Sequence, residues 1–387
     1  MCALYKNGKK SLKLKIAINA RFLQPGNLEG IGWYTYELCK RWVQNHPEDQ
    51  FILIYDRPQS EWLISGKNVK SVVIGPKARH FFSFWYWFDV QIPKVLRQEQ
   101  VDVFFSPDNF LSLQTNVPTV LTTHDIARFH YPRQVAWMHR PYYRLFIPRF
   151  LKKAAHIVCV AEHGKTDLIA HFQVPAEKIT VVPNGTRAIF QPLSDAEKIQ
   201  VKTRFSKGVD YFFFLGAIHP RKNLLGLLRA YELFREKSGA AVKLLIAGKL
   251  AWQVQEITAA HAASAYRDDI LFLGYLPEET AAELMASALA LTYLSFFEGF
   301  GLPVLEALCT DTPVITSNTS SLPEVAGDAA LLVDPYQVEE IAEAMCRIWN
   351  EPDLREDLVK KGQLQRQQFS WDKAATDIYT ILQAVKS

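Results

Sequence analysis

The sequence predicts an α/β protein made of two doubly wound parallel sheets. Short apolar runs of strand length recur through the first half with helical segments between most of them, and a second series of the same kind begins near residue 211. The length, 387 residues, fits two to three domains of about 100–200 residues each. Runs that are apolar throughout, without alternation, read as strands buried on both faces, and sheets of this kind collect ligands at the carboxyl ends of their strands.

In the first half the expected strands are 13–19, 51–55, 69–74, 101–106, 119–123, 157–160 and 179–182. After the first comes a loop, QPGNLEGIG at 24–32, feeding a helix expected from Trp33 to about Val43. Its spacing is not G-x-G-x-x-G and no acid stands in the ribose position, so the sequence gives little support to dinucleotide binding. Gly30 and Gly32 read either as a site for close backbone approach to a ligand or as a plain strand-to-helix turn. His124 and Asp125 directly follow the strand 119–123, where an imidazole beside an acid is a candidate for chemistry. Ser106-Pro107-Asp108-Asn109 forms another strand-end turn.

Two further stretches are unusual in composition. Residues 80–88 (HFFSFWYWF) read as helix core or as a surface for a lipid or sugar acceptor. From 126 to 161 there is no acid, while Arg128, Arg133, Arg140, Arg144, Arg149, Lys152 and Lys153 alternate with aromatic residues. That pattern reads as an anionic membrane surface contact or a solvated basic face, with Pro148 expected to kink any helix there.

The second series runs through strands at 211–216, 242–248 and 270–274. Arg221 and Lys222 sit between the first of these and a helix expected over 224–234, a position from which cations clamp a diphosphate, and Asn223 suits the helix cap. The apolar run 289–294 ends in SFFE; Gly299 and Gly301 then allow a tight loop, and Pro303 suits the first turn of a helix. Amides at the front of such a helix, at Phe300, Gly301, Leu302, Pro303 and Val304, face an anion, and Glu298 and Glu306 flank them at an E-x7-E spacing. A ligand carrying both phosphate and hydroxyls, such as a nucleotide sugar, matches this arrangement. Helices are expected at 336–349 and 352–367, and a last amphipathic one after Ser370.

The run EGFGLPVLEAL, followed by TPVITS and SLPEVAGDAALLVDP, resembles the donor site of retaining glycosyltransferases of family four over nearly fifty residues. The resemblance implies the GT-B fold, two Rossmann-like domains facing across a cleft. It also implies that Glu298 touches the donor sugar, that Glu306 holds the ribose, and that the loop amides bind sugar and diphosphate. By the same resemblance His124 faces the donor sugar, Asp125 lies beside it, Lys222 neutralises the leaving group, and Gly30 and Gly32 stand near the diphosphate and the acceptor. Where the family often has an Arg after the glycine of this strand exit, Ala217 stands here, which shifts that burden to Arg221. Ala161 and Gly164 replace serines usual in the family. Expected domains are an acceptor domain at 1–190, a linker at 191–208, a donor domain at 209–369 and a helix at 370–387 crossing back to the first domain.

The implied activity is transfer of a hexosyl group, mannose first, from a nucleoside-diphosphate sugar to a saccharide or lipid-linked acceptor, with no metal and no other cofactor. A sugar-nucleotide epimerase, a phosphorylase or a non-catalytic nucleotide-sugar scaffold would use the same fold. The five cysteines (Cys2, Cys39, Cys159, Cys309, Cys346) show no C-x-x-C pair, and a net charge of +4 is too small to imply nucleic acid. No apolar segment approaches the roughly 20 residues that span a bilayer, and no signal peptide is read at the amino terminus, so a cytoplasmic protein, soluble or peripheral at the membrane, is expected.

Overall fold

The computed structural model describes residues 13–26, 28–78, 81–134, 136–249 and 255–386. Cys2 and the rest of the amino-terminal segment, Asn27 and His80 lie outside them. The first sheet contains β1 (Lys15–Asn19), β2 (Gln50–Tyr55), β3 (Val69–Val73), β4 (Val103–Ser106), β5 (Thr119–Thr123), β6 (His156–Cys159) and β7 (Ile179–Val181). These strands are all parallel, in the order β3-β2-β1-β4-β5-β6-β7. The second contains β8 (Tyr211–Leu215), β9 (Lys243–Ala247), β10 (Ile270–Gly274), β11 (Ala290–Tyr293), β12 (Val314–Ser317) and β13 (Ala330–Val333). They too are parallel, in the order β10-β9-β8-β11-β12-β13.

The uniformly apolar runs explain this pattern. Every residue of β4, β5 and β11 is buried, as expected when helices cover both faces. In each sheet the strand order reverses once, between β1 and β4 and between β8 and β11. A crevice opens at such a switch point because successive crossovers leave toward opposite faces.

Several expectations need correction. β12 and β13 were not expected as strands, and they complete the second sheet. The first helix spans Gly30–Asn45, three residues earlier than predicted, so Gly30 and Gly32 form its opening turn and not a loop. A Cβ on Gly32 would lie 2.8 Å from the Phe22 carbonyl oxygen, so this glycine serves close packing within the first half. The basic segment does form a helix, Arg140–Lys153, with Pro148 inside it. The aromatic run divides: Trp87 and Phe88 are buried on a π-turn, whereas Phe82, Trp85 and Tyr86 are exposed.

The last helix, Trp371–Lys386, packs on the first half. Trp42 Nε1 donates to the Ala375 carbonyl at 2.8 Å, and Tyr379 lies flat on His46 with ring centroids 3.5 Å apart. The Tyr379 hydroxyl donates to Asp49, whose other oxygen accepts the Leu14 amide at 2.7 Å. Asp49 is 1% exposed, so it depends on these two donors. Tyr379→Phe is expected to lower stability by about 1–3 kcal/mol, the cost of a buried acceptor left without its partner. Tyr275→Phe at an exposed position is expected to change it by less than about 0.5 kcal/mol. Urea unfolding of both variants tests this, and equal effects would contradict it.

Candidate active site

The site is built where β8 and β11 lie side by side, about eighty residues apart in sequence but adjacent at the switch point. The loops leaving the two strands are joined directly. The Phe296 amide donates to the Arg221 carbonyl at 2.9 Å, and Arg221 Nη1 donates to the Phe297 carbonyl at 2.7 Å. Lys222 follows on a single 3-10 turn, Pro220–Lys222, and Asn223 caps the next helix by accepting the Gly226 amide at 3.3 Å.

Lys222 Nζ donates to Glu298 Oε1 at 2.6 Å and to the Tyr293 hydroxyl. Its third hydrogen has no partner among the described residues. Both charges are nearly out of water, at 9% and 8% exposure. Burial depresses the Lys222 ammonium below its ordinary value, and the Glu298 charge offsets only part of that. Burial works to raise Glu298 as well, but Lys222 and Arg221 outweigh it and hold the carboxyl below the usual range.

The glycine loop is fixed from beneath. The Glu298 amide donates to Ser320 Oγ at 2.9 Å, and Ser321 Oγ reaches the carbonyls of Glu298 and Phe300 at 3.0 and 2.9 Å. Gly301 has φ +104° and opens the helix Leu302–Cys309, a backbone region closed to most other residues. The amides of Gly299, Phe300, Gly301 and Leu302 find no acceptor among the described residues. Two expected donors are absent from this group: Pro303 has no N–H, and the Val304 amide closes on the Gly301 carbonyl at 3.0 Å.

The first half supplies the opposite wall. A Cβ on Gly299 would stand 2.1 Å from the His124 carbonyl oxygen, so a side chain there would force the two halves apart. Asp125 Oδ2 lies 4.0 Å and Glu298 Oε2 3.8 Å from Arg221 Nη1, which places this cation between acids of both halves. His124 Nε2 donates to the Pro107 carbonyl at 2.8 Å. Burial pushes its pKa below the ordinary value, so a neutral ring with a lone pair on Nδ1 is favoured.

His124, Asp125, Lys222, Glu298, Gly301, Glu306 and Gly30 line one cavity of about 450 Å³ between the two sheets. Arg221, Gly32 and Val304 are not part of its wall. Glu306 is held in a network that sequence reasoning missed: Arg187 bridges Glu306 at 2.9 Å and Glu278 at 2.5 Å, and Trp33 Nε1 donates to Glu278 at 2.8 Å. Burial raises the Glu306 carboxyl above its ordinary range despite Arg187. Nothing in the sequence pattern pointed to Arg187, whose partners lie far away in the chain.

Residues 195–365 match the family described as Glycosyl transferases group 1, and residues 28–188 the family described as Glycosyltransferase Family 4. The O-antigen chain mannosyltransferase B of Escherichia coli is 32% identical over 276 residues, covering 71% of this chain and 72% of that protein. The serotype-specific mannosyltransferase WbdA of Escherichia coli is 25% identical over 269 residues, which are 67% of this chain but 33% of that protein. Among solved structures, sucrose-phosphate synthase from Thermosynechococcus elongatus superposes with a TM-score of 0.78 at 17% identity, covering 96% of this chain and 99% of that one, a likeness of fold.

His219, beside the two cations, is driven by burial and by Arg221 and Lys222 down to about 4. An unfolded chain protonates a histidine near 6.5, so between these values the unfolded state holds a proton that the folded state refuses. Stability therefore falls as pH drops from about 6.5 toward 4. His219→Gln should flatten that slope in urea unfolding measured across this window; an unchanged slope would show that His219 titrates freely.

Proposed function

The chain belongs to the glycosyltransferases of family four, with the GT-B fold, and from that premise we propose that it moves a mannosyl group from GDP-mannose to a saccharide or lipid-linked acceptor in polysaccharide biosynthesis, with retention of configuration. The observation that carries this reading is one cavity combining a buried lysine and unengaged helix-front amides with a neutral histidine on the facing wall. The leading amides and Lys222 suit a diphosphate, Glu298 the sugar hydroxyls, and Glu306 the ribose. Mannose is favoured because the 32% identical relative bears the name of an O-antigen mannosyltransferase.

In this reading the bond between the sugar's anomeric carbon and the diphosphate oxygen breaks as the acceptor oxygen arrives on the same face. Negative charge grows on the departing phosphate, where Lys222 already stands in a low-dielectric cavity, with Arg221 behind it beside Glu298. The acceptor proton passes to the phosphate oxygen. Glu298 is tied to Lys222 and Asp125 lies near Arg221, so both carboxylates are matched to cations, which makes a covalent nucleophile role poorly suited to them. The positive charge comes from these side chains, and the reaction is proposed to run without a metal ion.

Lys222→Ala is expected to lower kcat about a hundredfold, the usual loss on removing one preorganised charge contact. GDP and GDP-mannose should raise the melting temperature more than UDP, ADP or their sugars, and the product should carry the donor's anomeric configuration by NMR. Preferential stabilisation by UDP-glucose, or an inverted product, would replace the donor or the stereochemistry proposed.

We also propose peripheral attachment to anionic membrane. Trp137, Met138 and Leu145 are 76%, 62% and 50% exposed on the acid-free segment, beside exposed Arg140, Arg144, Lys152 and Lys153. Among the described residues no helix is long and apolar enough to cross a membrane. Cosedimentation with phosphatidylglycerol vesicles should weaken steeply with salt and in a Trp137→Ser/Leu145→Ser variant. Equal binding to neutral vesicles would count against it.

A further inference from the structure

Outside the cavity, the first half brings two histidines and a buried carboxylate together. His130 ends the short helix Ala127–His130, while Asp167 and His171 share one face of the helix Glu162–Phe172, four residues apart. His130 Nε2 stands 2.9 and 2.8 Å from the two Asp167 oxygens, and His171 Nδ1 is 3.5 Å from Asp167 Oδ1. The three ligand atoms all lie within 4.8 Å of one another. None of the three residues lines the donor cavity.

We propose that His130, Asp167 and His171 form a binding site for a divalent transition-metal ion of the zinc class. A zinc ion bonds imidazole nitrogen and carboxylate oxygen at about 2.0–2.2 Å, so tetrahedral ligands stand roughly 3.3–3.5 Å apart. The His171–Asp167 separation meets that value, and the two His130–Asp167 separations are shorter, so a metal entering there requires the exposed His130 ring to draw back. Two imidazoles and one carboxylate select zinc, nickel or cobalt over magnesium and calcium, which take oxygen ligands. Asp167 is 9% exposed and reaches both rings, while both histidines are exposed, so water can complete the coordination sphere. The i, i+4 pair presents two ligands from a rigid helix, and only His130 comes from another element.

The position gives the ion a consequence. The His130 ring lies 4.9 Å from that of Phe297, the residue preceding Glu298. A metal bound by His130 pins that ring and so fixes the contact between the helix of the first half and the donor loop of the second. This inference is independent of which sugar the enzyme transfers.

The untagged full-length protein, freed of metal by chelator, is titrated with zinc chloride by calorimetry. Wild type should bind one equivalent with a Kd of about 1 µM or tighter, and magnesium at millimolar concentration should not compete. Removing a ligand costs at least what removing its supporting partner does, so His171→Ala should weaken binding by more than about tenfold. His171 is exposed, so the variant is expected to keep its circular dichroism and melting curve without zinc, and Asp167→Asn gives a second test. Failure of wild type to bind zinc, or stoichiometric binding undiminished in a folded His171→Ala protein, overturns the site and leaves a hydrogen-bonded His-Asp-His cluster.

Discussion

Lys222 and Glu298 are taken out of water together, and most of the second half is arranged so that neither is left alone. The desolvation penalty is several kcal/mol for each ion, and stripping one partner from such a pair typically costs about 3–5 kcal/mol. Tolerating it requires the two residues to be held at contact by rigid elements. The adjacency of β8 and β11 does this, with the Phe296–Arg221 backbone bond and the Ser320 and Ser321 hydroxyls fixing the loop. Well-packed hydrophobic residues in place of a buried ion pair are often neutral or stabilising, so stability alone does not account for charge here. A lysine locked in place before its ligand arrives needs no reorganisation when phosphate charge develops.

The same loop closes the molecule. Gly299 lies against the His124 carbonyl, Arg221 lies between Asp125 and Glu298, and Glu324 accepts the amides of Glu162 and His163 at 2.8 and 3.3 Å. That last contact places a carboxylate of one half on the helix amino terminus of the other, where the dipole favours it. Arg187 adds a further tie through Glu278 and Glu306, and the final helix returns to cover Trp42. The cavity wall is thus a composite, and neither half contains a complete site.

How much of this was legible depends on sequence distance. Fully apolar strands such as Phe212–Phe214 and Leu244–Ile246 were readable because parallel strands buried on both faces carry no alternation. β12 escaped because it is four residues long and ends in Thr316 and Ser317, whose polarity hides a buried strand; Thr316 resolves this by donating to the Tyr293 carbonyl at 2.7 Å. The glycine loop, Glu298 and the cation pair were readable because each sits at a strand exit. The Arg187 network was not, since its contacts reach 119 residues to Glu306 and Trp33 reaches 245 to Glu278. The two readings of Gly30 and Gly32 stayed open in the sequence because glycine serves both close ligand approach and tight packing; the Phe22 carbonyl marks Gly32 as a packing position, while Gly30 lines the cavity.

The residues on either side of Glu298 tie the two halves of the chain together. Phe297 packs against the rings of His130, Tyr131 and His163 at 4.9, 6.2 and 5.5 Å, and Gly299 touches His124 on the other side. Glu298 is therefore suspended between two contacts with the first half while its carboxylate is tied to Lys222 in the second. Any rotation of one half against the other must either drag this carboxylate from its lysine or break one of the two flanking contacts. Because packed interfaces are not continuously deformable, such a loop has few arrangements available. Whatever binds the first half biases the same loop that carries Glu298 into the cavity, which is the physical requirement for coupling between two sites.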